Sequence, residues 1–173
     1  MSFDTSYYGT LVEAEDYFAA RLHATAWDDA NGTDKPKALW AATKIIDALA
    51  FKGYKATVQT LLTAYPHATY EEIRAAEADQ VLEFPRGADT DVPEAIRIAT
   101  YELAYSLLDG RDPELELEAL GISNHTYGSV RTQYARDQVP MEHLVNGIPN
   151  AQAWRYLRPF LRDSEGVNLS RIN

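Results

Sequence analysis

Cysteine is absent from all 173 residues. Disulfides, cysteine–zinc sites and thiol catalysis are excluded together, so packing has to hold the fold. No apolar run approaches the roughly 18 residues that a membrane span needs. Met1-Ser2-Phe3-Asp4 lacks the basic start and apolar core of a signal peptide. The expectation is a protein that stays in the compartment where it is made and avoids membranes. Gly-Lys-Ser/Thr and Gly-x-Ser-x-Gly never occur, which removes the phosphate-cradling loop and the nucleophile elbow. His23, His67, His125 and His143 fall in separate predicted elements, none paired at metal-ligand spacing. Glu114, Glu116 and Glu118 alternate along the chain; on a helix such residues point apart and form a solvated face, not an acid–base pair. The expectation is therefore neither an enzyme nor a holder of metal or cofactor.

What is present is ordinary in amount and uneven in placement. Apolar residues make up 46% of the chain and charged residues 24%, which fits a folded domain and argues against wholesale disorder. Residues 1–120 hold 10 Lys/Arg against 22 Asp/Glu, a net of -12. Residues 121–173 hold 6 arginines against 4 acids, a net of +2, within an overall formal charge of -10. An acidic body repels phosphates and lipid headgroups, whereas a basic tail is drawn to acidic surfaces, including the body of a neighbouring copy.

The patterning predicts a mainly α protein. It consists of a small helical bundle over residues 1–110 and a C-terminal region, 111–173, with a β-hairpin and an extended arm ending in a short helix. Thr10 to Glu13 reads as a capping box opening a helix to about Leu22, with Leu11, Ala14, Phe18 and Leu22 on one stripe. A second helix follows the turn at Asn31 to Asp34 and places Leu39, Ala42, Ile46 and Leu49 on one face. Residues 56–83 predict a pair of helices split at Tyr65-Pro66-His67, the second opened by a capping box, Thr69 to Glu72. Pro93 starts a helix whose stripe is Ile96, Ala99, Leu103, Ala104 and Leu107, closed by Gly110. Residues 112–120 suit a short acidic helical extension. Residues 122–134 carry β-branched and aromatic residues around a glycine turn, a hairpin pattern that needs a partner surface. Tyr127, Val130, Arg131 and Tyr134 are its candidate interface residues. An extended connector, 135–149, leads to a last helix over 151–161, capped by Asn150 and bent or ended by Pro159.

That last helix holds the densest signal in the chain. Between Trp154 and Arg162 three arginines and three aromatic rings occupy nine positions. Trp154, Leu157 and Leu161 fall on one apolar stripe, and Tyr156 and Phe160 form a second edge. Trp, Tyr and Arg dominate binding hot spots, so Trp154, Arg155, Tyr156, Leu157, Arg158, Phe160 and Leu161 are candidate docking residues for another chain. Two other readings use the same residues: the helix as a final element of its own core, and rings stacking single-stranded nucleic acid between arginines.

The order of several segments resembles the head-tail connector (adaptor) proteins of tailed bacteriophages. The matching pieces are Ala14-Glu15-Asp16-Tyr17-Phe18-Ala19-Ala20-Arg21, Ala41 to Leu49 running into Phe51-Lys52-Gly53-Tyr54, Gln80 to Arg86, and Val92 to Ile96 leading to Ala99 to Ala104. Members of this family are also labelled DnaT-like single-strand DNA-binding proteins. The resemblance spans roughly residues 10–108 and implies a helical bundle assembled as a ring, usually twelvefold, beneath the portal protein of the capsid. Such a ring extends the channel through which DNA passes without specific binding. It also offers a platform to the next neck or tail protein, a stopper or tail terminator. The C-terminal arm would contact the portal, and the location would be the virion, after assembly in the host cytoplasm. Two departures stand out: residues 56–79 form a longer helical insertion than the family pattern, and Phe84 replaces a tryptophan at the Phe-Pro-Arg corner. The alternative function is single-stranded nucleic-acid binding.

Overall fold

Apolar residues recurring every three to four positions turn most of the described chain into helix. The computed structural model describes residues 4–112, 115, 124–127, 130–133 and 142–162. Helix α1 (Leu11–Ala20) begins where the Thr10 hydroxyl accepts the Glu13 backbone N–H at 3.1 Å. It buries Ala14 and Phe18 but stops before Leu22, which is 82% exposed because the chain turns away at His23, a non-glycine residue with φ of 59°. The short α2 (Thr25–Asp28) is an element the helical periodicity does not announce; it exists to seat Trp27, stacked on Phe18 with centroids 4.4 Å apart. Helix α3 (Asp34–Asp47) buries Leu39, Ala42 and Ile46, and α6 (Glu94–Leu108) buries Ile96, Ala99, Leu103 and Ala104 against it.

Helices α4 (Ala56–Ala64) and α5 (Tyr70–Asp79) leave the body and return to one place. At their base Ala56 N–H donates to the Pro85 carbonyl at 3.1 Å and Gly87 N–H to the Tyr54 carbonyl at 2.8 Å. The Gln80 carboxamide donates to both Leu82 and Pro85 carbonyls at 2.9 Å. The capping box at Thr69 and Glu72 forms in full. Beyond the base the pair contributes little to the core: α4 buries only Val58 and α5 buries nothing.

Two short strands, β1 (Asn124–Tyr127) and β2 (Val130–Gln133), pair antiparallel with Tyr127 opposite Val130. No other strand joins them among the described residues, so the expected hairpin builds no sheet into the fold. The side chains of Tyr127, Val130 and Arg131, and the whole of Tyr134, lie outside the described residues, as do the acidic extension at 116–120 and the tail beyond 162. The connector expected to be extended contains a helical turn, α7 (Glu142–Val145), with Leu144 buried. Ile148 and Pro149 after it are buried as well. Helix α8 (Ala151–Leu157) and a 3-10 turn (Arg158–Phe160) then pack on α6, the change of helix type falling at Pro159 as the proline requires.

The fully buried Glu102 and the polar groups around it are paired, whereas Thr57 Oγ1 and Arg97 Nε are buried without a hydrogen-bond partner. Glu102, in the middle of α6, has no solvent exposure. Its carboxylate accepts from Arg21 Nε at 2.8 Å, Arg21 Nη2 at 3.0 Å and the Tyr17 hydroxyl. Burial first and Glu102 second raise the Tyr17 phenol well above its ordinary value. On the far side Tyr8 donates its hydroxyl proton to Asp47 and accepts the Phe84 N–H at 3.2 Å. Burial raises the Asp47 carboxyl above its usual range, against the opposing pull of the Tyr8 hydrogen bond. Gly9 lies hard against Tyr101: with φ of 76°, a Cβ there would stand 2.1 Å from the Tyr101 hydroxyl.

Two outcomes are expected. Arg21→Ala strands the Glu102 carboxylate and lowers unfolding free energy by about 3–5 kcal/mol, whereas joint replacement by Arg21→Met and Glu102→Leu recovers much of that loss, as read from urea midpoints. For Asp47 the raised folded pKa means that its contribution is full below the unfolded value of about 3.9 and is lost as pH rises through the folded value. Asp47→Asn keeps an acceptor for Tyr8 but cannot ionise. Its stability relative to wild type should therefore climb as pH rises above about 4, and a flat or falling difference counts against the assignment.

Candidate functional site

The aromatic–arginine segment is sorted by helical geometry into two faces. Ala153, Trp154 and Leu157 point inward; Leu157 is 0% and Trp154 8% exposed. Arg155, Arg158 and Arg162 point outward. Tyr156, Phe160 and Leu161 lie half-buried between the two, packed against the core. The expectation that Trp154 and Leu157 dock another chain is therefore corrected. A side chain without exposed surface cannot be an anchor for a partner, and burying it within its own body is the more favourable use of its apolar area. The body does not close its core without this segment.

Both ends of the segment are fixed by polar contacts. At its start the Asn150 carboxamide oxygen accepts the N–H groups of Gln152 and Ala153 at 2.8 and 3.1 Å, capping α8. The nitrogen of the same carboxamide donates to the Glu102 carbonyl and to Ser106 Oγ, each at 2.9 Å. At its end Lys52 N–H donates to the Phe160 carbonyl and Arg162 N–H to the Ala50 carbonyl, both at 2.9 Å, making a bridge between Phe51 and Leu161. Phe160 meets the edge of Phe84 with centroids 5.6 Å apart, and Phe51 and Tyr8 close on the same ring. Phe84 is thus the point at which four stretches of chain converge. Arg86 beside it donates Nε to the Lys52 carbonyl at 3.0 Å and pairs with Glu83.

What remains accessible is three arginines: Arg155 on α8, Arg158 at the start of the 3-10 turn and Arg162 beyond it. Arg158 stands 3.9 Å from Glu142, with both side chains mostly in solvent. Arg155 and Arg162 have no carboxylate partner among the described residues. The surface opposite in sign includes α5, along which Glu71, Glu72, Glu77 and Asp79 are exposed. A shallow cavity of about 260 Å³ beside Lys52, Gly53, Phe84, Arg86, Pro159 and Phe160 borders the segment. A larger one of about 520 Å³ is lined by Asp29, Asp34, Tyr105, Leu108 and Asp109. Among the described residues no group of three or more His, Asp or Glu side chains is placed to hold a metal ion, and no helix is long and apolar enough to cross a membrane. Helical spacing separates Trp154 and Leu157 from Arg155, Arg158 and Arg162 in the sequence; the sign missing from it is that Asn150 has a second set of partners on α6.

The two faces predict opposite responses. Leu157→Ala should cost about 2–5 kcal/mol of stability by leaving a core cavity. Arg155→Ala should stay within about 0.5 kcal/mol of wild type, because it touches nothing buried. Equal effects in thermal or urea unfolding would contradict the assignment of faces.

Comparison with known proteins gives one family match: the model described as "Putative DnaT-like ssDNA binding protein" aligns with residues 4–171. No curated protein and no solved structure matches the chain. The matched span runs from before α1 to beyond the 3-10 turn, so it takes in the packed C-terminal segment together with the helical body. On that match the chain belongs to the family of DnaT-like ssDNA binding proteins.

Proposed function

We propose that this protein is a structural head-to-tail adaptor of a tailed-phage virion, forming a ring below the portal that lengthens the DNA channel and joins the capsid to the neck and tail. The observation that carries the reading is the segregation of charge on a body whose core is closed at both ends of the chain. Residues 1–120 have a net charge of -12, and the described C-terminal segment keeps Arg155, Arg158 and Arg162 exposed. An acidic wall lets DNA pass without the counterion release that makes it stick. Exposed cations on an acidic body give each copy something to hold in its neighbours or in the portal. The segments that resemble the connector family support the same reading, because their apolar members Phe18, Ala42, Ile46, Phe51, Phe84, Ile96 and Leu103 are the buried core.

Single-stranded DNA binding is the second reading, favoured by the description of the matching family. The geometry gives it less room. Trp154, the strongest stacking ring of the segment, is buried, and the exposed Arg155, Arg158 and Arg162 are set on a strongly acidic body.

Two measurements separate the readings. Negative-stain electron microscopy of the protein with portal should show closed rings seated on the portal; dispersed particles that fail to co-sediment with it reject the adaptor. A labelled oligonucleotide should show no shift at low salt. A shift that weakens with Arg155→Ala or Arg158→Ala, together with an absence of rings, installs the DNA-binding reading instead. Deleting residues 150–173 is a poor test of docking, since it opens the core by removing Trp154 and Leu157.

A further inference from the structure

Helix α5 is a ten-residue helix with no buried side chain, carried on a base tied down by Lys55, Gln80 and Arg86. Ile73 and Ala76 are half-buried, and the rest of the helix is exposed surface available to a neighbour. The hairpin it forms with α4 presents Tyr65 and Tyr70, 66% and 70% exposed, with Arg74 over the Tyr70 ring at 5.9 Å and the carboxylates Glu71, Glu72, Glu77 and Asp79 exposed along α5. Aromatic rings next to acids are what a guanidinium group prefers, through stacking and charge together. The matching cations are on the same chain, at Arg155, Arg158 and Arg162. Among the described residues no ion pair joins α5 to α8 within one copy; α5 packs on α4, and α8 packs on α6.

We infer that the exposed arginines of the C-terminal segment in one copy, Arg155, Arg158 and Arg162, dock on the α4–α5 hairpin of a second copy. This rests on the ring reading above and names its two contact surfaces. Because the surfaces are different patches of one chain, the contact is head-to-tail, the kind that propagates from copy to copy and closes where the rotation permits. The hairpin is then the outward limb of each subunit, and its rigid base holds it at a fixed angle to the body. Arginine presented on a segment whose other face is locked into the core meets that limb at low cost in ordering. Rings held by such contacts weaken as salt rises, since the partners are solvent-accessible charges.

Charge reversal with complementation tests the contact. One variant carries Arg155→Glu and Arg158→Glu; the other carries Glu71→Lys and Asp79→Lys, with Glu72 kept because it caps α5. Far-UV circular dichroism confirms that each remains helical. In low-salt sedimentation velocity the wild type should assemble. Each variant alone should lose the assembled species, because its two docking surfaces now carry like charge. An equimolar mixture should regain it, because every α8 then faces a hairpin of opposite sign. Wild-type assembly that neither variant weakens overturns this contact and leaves the ring standing. Variants that lose assembly and are not restored by mixing also overturn it. A wild type that stays monomeric both alone and with portal overturns the ring and the contact together.

Discussion

Glu102 is a carboxylate shut away from solvent, and its oxygens must be satisfied by groups from distant parts of the chain. Arg21 and Tyr17 reach it across 81 and 85 residues of sequence, and Asn150 reaches its backbone carbonyl across 48. An isolated ion in that position would cost several kcal/mol, so the body is stable only in the one arrangement that brings all three together. That constraint sets where α1 ends, since Arg21 has to turn inward at the last position of the helix. It also sets where α8 begins, since Asn150 must cap it while keeping hold of α6. The apolar core supplies most of the stabilisation, and this carboxylate selects which packing of helices receives it.

Helix faces were readable from the sequence wherever a single element had a clear stripe. Leu39, Ala42 and Ile46 on α3 and Ile96, Ala99 and Leu103 on α6 are buried as their spacing predicts, and the Thr69–Glu72 box and the Asn150 cap form where their residue types place them. Leu22 was misplaced because a stripe does not say where a helix stops, and the turn at His23 answers to Glu102 instead. Helix α2 was missed because four residues carry no period; its reason for being is the site waiting for Trp27. The helical turn at Glu142 was missed because it is equally short, and because Pro140 and Gly147 around it read as loop.

The C-terminal segment illustrates a different limit. A stretch too cationic to bury and too aromatic to leave in water does not have to choose, because a helix can divide the two demands between opposite faces. The inward face was legible as Trp154 and Leu157, but its partner was not. Whether a stripe packs on its own body or on another chain depends on contacts such as Asn150 with Ser106 and Phe160 with Phe84. Those pairings leave no periodic trace in either partner. The Phe84 corner has the same character: its ring gathers Tyr8, Phe51 and Phe160, three residues whose separation in sequence gives no hint of their meeting.

Placing a core helix so late in the chain has a bearing on how the protein is made. Synthesis delivers the N-terminal residues first, and a domain folds when its last core member has emerged. Here Leu157 and Trp154 are such members, so a nascent chain that has reached Leu108 still lacks the face that covers α6. The exposed arginines sit on that same seven-residue helix, on the turn after it and two residues beyond the turn. A chain interrupted before residue 150 consequently lacks its core closure and its cationic surface in one step. Unfinished copies are left open to proteolysis, and the order of translation itself screens which molecules carry a finished core.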